Sequence, residues 1–351
     1  MRPQHSLPFR TVIITGASAG VGRAIALRFA QAGDRVGLIA RDAAALAEVR
    51  DEALRLGSAA AAFETADVSD GAAVFAATAS LQSHLGEADI WVNDAMETVF
   101  SPVWSMTPEE FRRVTEVTYL GFVHGTMAAL KSMRSRERGL IIQVGSALAY
   151  RGVPLQSAYC GAKHAIRGFT DSVRAELLHE KSQVSITMID LPAVNTPQFD
   201  WARAHIDHWP RPMGRPIQPE AVADAVFRAA QGSWREYWLG SPTLETILAN
   251  MVWPGFLDRY LAMKAVAGQK GDQLLPVDHP DNLDRPITRL HRTRGSFSDE
   301  ATSGAVLMPA PVMRAGVIVS GALICAAAGA LLSLLGAARF TQRRPSTAQS
   351  R

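Results

Sequence analysis

The chain has 351 residues, 48% of them apolar, which is enough for one large α/β domain with an extension or for two domains. Its net charge of +3 comes from 36 basic and 33 acidic side chains spread along the sequence, which excludes the basic footprint of a nucleic-acid binder. The two cysteines, Cys160 and Cys325, stand far apart in dissimilar settings and exclude a disulfide framework; no metal site is expected.

In chain order, the apolar run Thr11-Val12-Ile13-Ile14 predicts a first strand over 10–15. The turn Thr15-Gly16-Ala17-Ser18-Ala19-Gly20-Val21-Gly22 follows it, and Ala24, Ile25, Leu27 and Ala30 then recur at helical spacing. A strand, a glycine-rich turn and a helix start form a phosphate cradle, because free backbone N–H groups and the helix dipole face the anion. Further strands are predicted over 35–40, 60–65, 88–93, 139–145, 184–190 and 236–239. Helices are predicted over 20–32, 42–56, 70–85, 107–133, 157–181, 219–231 and 243–266. Such alternation implies an α/β fold, a doubly wound parallel sheet of about seven strands with helices on both faces. No repeat of about 20–50 residues is present.

The end of the second strand, Ala40-Arg41-Asp42, places a guanidinium where an acidic residue would suit a ribose 2′-hydroxyl, so a 2′-phosphate and NADP(H) are expected. Asp42 reads as the cap of the next helix. In Ser157-Ala-Tyr159-Cys-Gly-Ala-Lys163, the tyrosine and one of only five lysines in the chain share a helix face at i and i+4. A phenol is a weak base at neutral pH, and a neighbouring cation favours its ionised form. Ser146 supplies a hydroxyl at the end of the preceding strand-like run.

These motifs, in this order, resemble those of the short-chain dehydrogenase/reductase family over roughly residues 8 to 268. The family's Thr-Gly-x-x-x-Gly-x-Gly appears at Thr15, Gly16, Gly20 and Gly22, its adenine-contacting acid at Asp67, and its Pro-Gly pair as Pro192-Ala193 followed by Thr196. The Asn-Asn-Ala-Gly motif appears altered, as Asn93-Asp94-Ala95-Met96. The resemblance implies a Rossmann-type fold and a hydride transfer between the cofactor and a carbonyl or secondary alcohol. In it Tyr159 gives or takes the proton, Lys163 lowers the tyrosine pKa and binds the nicotinamide ribose, and Ser146 holds the substrate oxygen. Cofactor contacts are expected from Thr15, Gly16, Ser18, Gly20, Val21, Gly22, Arg41, Asp67, Val68, Asn93, Ala95, Tyr159, Lys163, Pro192, Val194 and Thr196. A fourth catalytic residue, usually an asparagine holding a relay water, is replaced by Thr118, which can still bond water. Family members commonly pair through their fourth and fifth long helices, so a homodimer or homotetramer is expected.

Residues 191–219, with Phe199, Trp201, Trp209 and Met213, read as an aromatic lid over the substrate and suggest a lipophilic one. Beyond the oxidoreductase domain, 1–268, residues 269–313 carry five prolines and many charges and read as an irregular linker or extension. Ala315 to Ala338 then run without a charge between Arg314 and Arg339. As a helix they would reach about 36 Å against a bilayer core of about 30 Å. A transmembrane helix over 314–339 and a basic tail over 340–351 are expected, with a buried or oligomer-forming helix as the alternative. Met1 to Phe9 lack the apolar stretch of a secretory signal, which leads to the expectation of a cytoplasmic catalytic domain anchored through its C-terminal helix. The arginines at 339, 343, 344 and 351 pull against that topology, since positive flanks favour the cytosolic side. Two rival readings are a cofactor-binding redox sensor with little turnover, motivated by Asp94, Met96 and Thr118, and a membrane scaffold, motivated by the tail.

Overall fold

The computed structural model describes residues 9–288 and 290–319 and divides into two compact units, the first ending at Leu307 and the second beginning at Met308. In the first unit the strands are β1 Thr11–Thr15, β2 Arg35–Ala40, β3 Ala61–Thr65, β4 Ile90–Asn93, β5 Val99–Phe100, β6 Gly139–Val144, β7 Val184–Asp190, β8 Arg203–Ala204, β9 His208–Pro210, β10 Glu236–Leu239 and β11 Lys270–Leu274. A further short strand, β12 (Leu307–Pro309), begins at its last residue. The helices are α1 Gly20–Gln31, α2 Ala43–Arg55, α3 Gly71–Leu85, α4 Pro108–Thr115, α5 Gly121–Met133, α6 Ser157–His179, α7 Gln198–Trp201, α8 Pro219–Ala229, α9 Ser241–Val252 and α10 Pro254–Gly268.

The central sheet of this unit runs β10-β7-β6-β4-β1-β2-β3. Every resolved pairing among those seven strands is parallel. β1 is buried along its whole length and pairs with both β2 (Val12 opposite Val36) and β4 (Val12 opposite Ile90). It reads as an unbroken apolar run because both faces of a parallel sheet are covered by helices. One core layer gathers Ile14, Ile25, Phe29, Leu38 and Val222 beneath α1 and α8; the other gathers Ile13, Leu81, Trp91, Ala129 and Ile141 beneath α3 and α5. Strand order reverses between β1 and β4, and a crevice for a ligand opens beyond the carboxyl ends of the strands at such a reversal. Asp42 caps α2, accepting from Ala45 N–H at 3.1 Å, as the sequence predicts.

Two expected helices are interrupted. The run predicted over 107–133 contains a π-helical turn, Glu116–Leu120, between α4 and α5. The run predicted over 243–266 breaks between α9 and α10 at Trp253 (φ −132°, ψ 56°), because Pro254 has no N–H to continue the ladder and drives its predecessor out of the helical region.

After β11 pairs with β9, residues 275–306 are stitched along the rim of the sheet. Leu275 N–H donates to Asp207 O (2.9 Å), Asn282 N–H to Trp201 O (3.0 Å), Gly295 N–H to Asn195 O (3.1 Å) and Thr302 N–H to Pro216 O (2.9 Å). The segment expected as an irregular linker or extension is therefore largely part of the first compact unit, as an extension would be. In the second unit the described residues, 308–319, are helical from 310 onward. The span expected over 315–338 lies outside the described residues except for 315–319, and among the described residues no helix is long and apolar enough to cross a membrane.

Candidate active site

A cavity of about 330 Å³ runs from the end of β2, past the glycine-rich loop, to the start of α6. Arg41, Asp67 and Val68 line one end, Gly16, Ser18, Gly20 and Val21 the middle, and Ser146, Tyr159 and Lys163 the other. Ala95, Pro192, Val194 and Thr196 complete the wall. The backbone explains the loop's composition. Gly16 has φ +73°, and a Cβ there would sit 2.8 Å from Ala95 Cα; a Cβ on Gly22 would sit 2.3 Å from the Gly16 carbonyl oxygen.

Four of the expected site residues lie behind the wall. Thr15 ties β1 to the following loop: its hydroxyl accepts from the N–H groups of Asp94 (3.1 Å) and Ala95 (3.3 Å). Gly22 packs under Gly16. Asn93 is fully buried; its amide nitrogen donates to Gln143 (2.9 Å), Thr126 (3.1 Å) and the Phe122 carbonyl (3.3 Å), and its oxygen accepts from the Trp91 indole (2.7 Å). Thr118, on the π turn, is also fully buried. Its hydroxyl donates to Glu97 O (2.8 Å) and accepts from Glu97 N–H (2.9 Å), so it positions the 93–98 loop and is not on the cavity wall.

At the α6 end the geometry suits proton transfer. Ser146 begins a short 3₁₀ turn, its hydroxyl accepting from Leu148 N–H (3.1 Å), and it lies beside the Tyr159 hydroxyl. Lys163 is buried, donates to Val144 O (2.8 Å), and has its ammonium 5.6 Å from the centre of the Tyr159 ring. Burial pushes the Tyr159 phenol above its ordinary pKa, against the opposing pull of the Ser146 hydroxyl. Desolvation leads this shift, and the lowering by the lysine that the sequence leads one to expect is not among its causes. Burial also lowers Lys163 to about 8, opposed by Asp94 and Asp190. It raises Asp94 to about 7, opposed by Lys163 and by the Gly22 N–H.

At the β2 end, Arg41 meets Glu97 at 2.6 Å and donates to the carbonyls of Asn282 (2.6 Å) and Leu283 (3.3 Å). Arg113 of α4 holds Asp67 at 2.6 Å and faces Glu97 at 3.5 Å. Burial pushes the Asp67 carboxyl up, but bonds from Arg113 and Ser69 outweigh it and leave it below the usual carboxylate range. The rim segment also reaches the glycine-rich loop: Gly20 N–H donates to Arg292 O at 3.0 Å, and Pro286, Ile287 and His291 join the cavity lining. None of these partners is visible in sequence, where Arg41 and Asn282 stand 241 residues apart.

The region expected as a lid is tied down on two sides, through β8 to β5 and through β9 to β11. Phe199, Trp201 and Met213 line the cavity, whereas Trp209 stacks edge-on against His279 away from it. Phe199 is buried, packed between Phe100 and Phe297.

A dinucleotide crevice closed at one end by a Ser–Tyr–Lys cluster defines a nicotinamide-dependent oxidoreductase. A family model described as short chain dehydrogenase matches residues 10–206, and the chain belongs to the short-chain dehydrogenase/reductase family. An uncharacterised oxidoreductase of Bacillus subtilis, YxnA, is 35% identical over 72% of this chain and 71% of its own length. The bovine dehydrogenase/reductase SDR family member 7B is 32% identical over 72% of this chain and 81% of its own. Among solved structures, an alcohol dehydrogenase of Thermococcus sibiricus in complex with 5-hydroxy-NADP superposes with a TM-score of 0.57, at 25% identity over 64% of this chain and 92% of that one. The protein is an NAD(P)-dependent oxidoreductase acting on CH–OH groups.

Proposed function

We propose that the protein interconverts a carbonyl and a secondary alcohol, with Tyr159 as the proton donor and acceptor, and that NADP(H) is its preferred cofactor. The observation that carries this reading is one continuous cavity joining Arg41 and the glycine-rich loop to Ser146, Tyr159 and Lys163. These residues fit a dinucleotide: small backbone-lined walls in the middle, polar side chains at both ends. A nicotinamide bound there supplies the hydride donor or acceptor. Ser146 would hold the substrate oxygen, and Tyr159, protonated at neutral pH, would give its proton to an alkoxide as it develops. Lys163, held in place by the Val144 carbonyl, would carry the positive charge beside it. Thr118 supports this geometry through Glu97 rather than by touching the reactants.

Leu148, Val153, Phe199, Trp201 and Met213 give the substrate end an apolar lining, which supports a lipophilic substrate. The uncharged stretch 315–338 supports membrane attachment through the C-terminal segment. Tyr159→Phe tests the reading. It should abolish turnover against a carbonyl panel while leaving cofactor affinity within a few-fold, and substantial residual turnover would assign the proton to another group.

A further inference from the structure

Arg41, on which the NADP(H) reading rests, is already engaged. Beside the Asn282 and Leu283 carbonyls it meets a charged partner, Glu97, at 2.6 Å. The Glu97 side chain is 3% exposed. Four charged groups face it: Arg41 from the end of β2, Arg113 from α4, Asp67 from the loop after β3 and Asp284 from the rim segment. Thr118 fixes its backbone by accepting from its N–H and donating to its carbonyl, so the carboxylate cannot move away with its loop. A 2′-phosphate brought to Arg41 would place up to about two negative charges beside this buried carboxylate, which burial keeps protonated until about pH 8 and which carries its charge above that. A 2′-hydroxyl brings none.

We propose that Glu97 sets the cofactor discrimination of this enzyme, competing with a 2′-phosphate for Arg41 and holding the preference for NADP(H) well below what an uncommitted arginine would give. The proposal rests on the reading of the cavity as a nicotinamide cofactor site. Its logic is negative selection: a repulsive group next to the attractive one tunes the difference between two ligands that share all other contacts. Glu97→Gln keeps the shape of the side chain and removes the competing charge. NADH, with a neutral 2′ position, should be indifferent to the change.

The test is direct binding of NADPH and NADH at about pH 9, where Glu97 is charged, followed by quenching of tryptophan fluorescence, to the full chain and to its Glu97→Gln variant. NADPH should bind about tenfold more tightly to the variant, with NADH unchanged within about twofold. An unchanged ratio of the two affinities overturns the proposal. If neither cofactor binds the unaltered protein, the cofactor-site reading itself fails, which is a separate outcome. Should Glu97→Gln not fold, the unaltered protein still decides the matter by calorimetry in buffers of different ionisation enthalpy. Burial already raises the Glu97 carboxyl to about 8, so a phosphate that takes Arg41 from it leaves it to bind a proton. At about pH 8 the 2′-phosphate has lost both its protons and exchanges none itself. NADPH binding should then take up protons and NADH binding should not; equal uptake for the two overturns the proposal.

Discussion

Thr118→Val isolates what a single hydroxyl does for this site. The side chain is fully buried, and valine fills nearly the same volume, so no cavity forms. What disappears is a donor to Glu97 O at 2.8 Å and an acceptor from Glu97 N–H at 2.9 Å. Each backbone group left without a partner in a buried position costs about 1–3 kcal/mol, so the pair should lower stability by about 2–4 kcal/mol after partial relaxation. Thr118→Ser is the matched control, since it keeps the hydroxyl and loses one methyl group, worth about 1 kcal/mol. Equilibrium urea unfolding, followed by tryptophan fluorescence for the parent and both variants, gives the comparison. A valine variant within about 0.5 kcal/mol of the parent would show that the hydroxyl is not structural. A serine variant less stable than the valine one would show that side-chain shape, and not the bonding to Glu97, holds the loop.

Asp94→Asn should change the pH dependence of stability. The Asp94 carboxyl is raised to about 7 by burial, so the folded state holds a proton that the unfolded state has lost between about 4 and 7, and stability falls as pH rises through that window. The variant should therefore gain on the parent from about pH 4 to about pH 7, and parallel stability curves would contradict the raised carboxyl. Membrane fractionation with a carbonate wash, comparing full-length chain with one ending at residue 310, should find only the former in the washed membranes; full-length protein that needs no detergent would remove the anchor.

The fold was legible because its signals are local. A buried parallel strand must be apolar on both faces, so runs such as Val12–Ile14 and Ile141–Val144 stand out between helical spacings. The cavity was legible for the same reason: the glycine-rich turn and the Tyr159–Lys163 spacing each fit within one turn or one element. What sequence did not reveal lies in long-range electrostatics and register. Arg41 carries no mark of Glu97, Asn282 or Leu283, and nothing in 275–306 announces a route past the glycine-rich loop. The π turn at 116–120 is a change of helical register without a proline or glycine inside it to signal it. The Trp253 break was visible in Pro254, which the apolar spacing on either side overrode.

The rim segment also bears on when the pocket comes into being. Arg23 donates to the His291 carbonyl across 268 residues, and His291 meets Asp42 across 249. Contacts that close loops of this length come late in folding, because the chain entropy they cost is not recovered until the intervening structure is in place. During synthesis the glycine-rich loop is among the first parts of the fold to leave the ribosome, and the residues that finish its surroundings are among the last. A ribosome that has made the sheet has therefore not yet made the cavity. The same separation makes the rim segment a natural first unit to detach under stress, held by backbone bonds and surface ion pairs such as Arg203–Asp281 and Arg292–Asp200 and not by a large apolar core of its own. The adenosine end of the cavity would then be the first part of the site to be lost, while β1, β4 and β6 still stand.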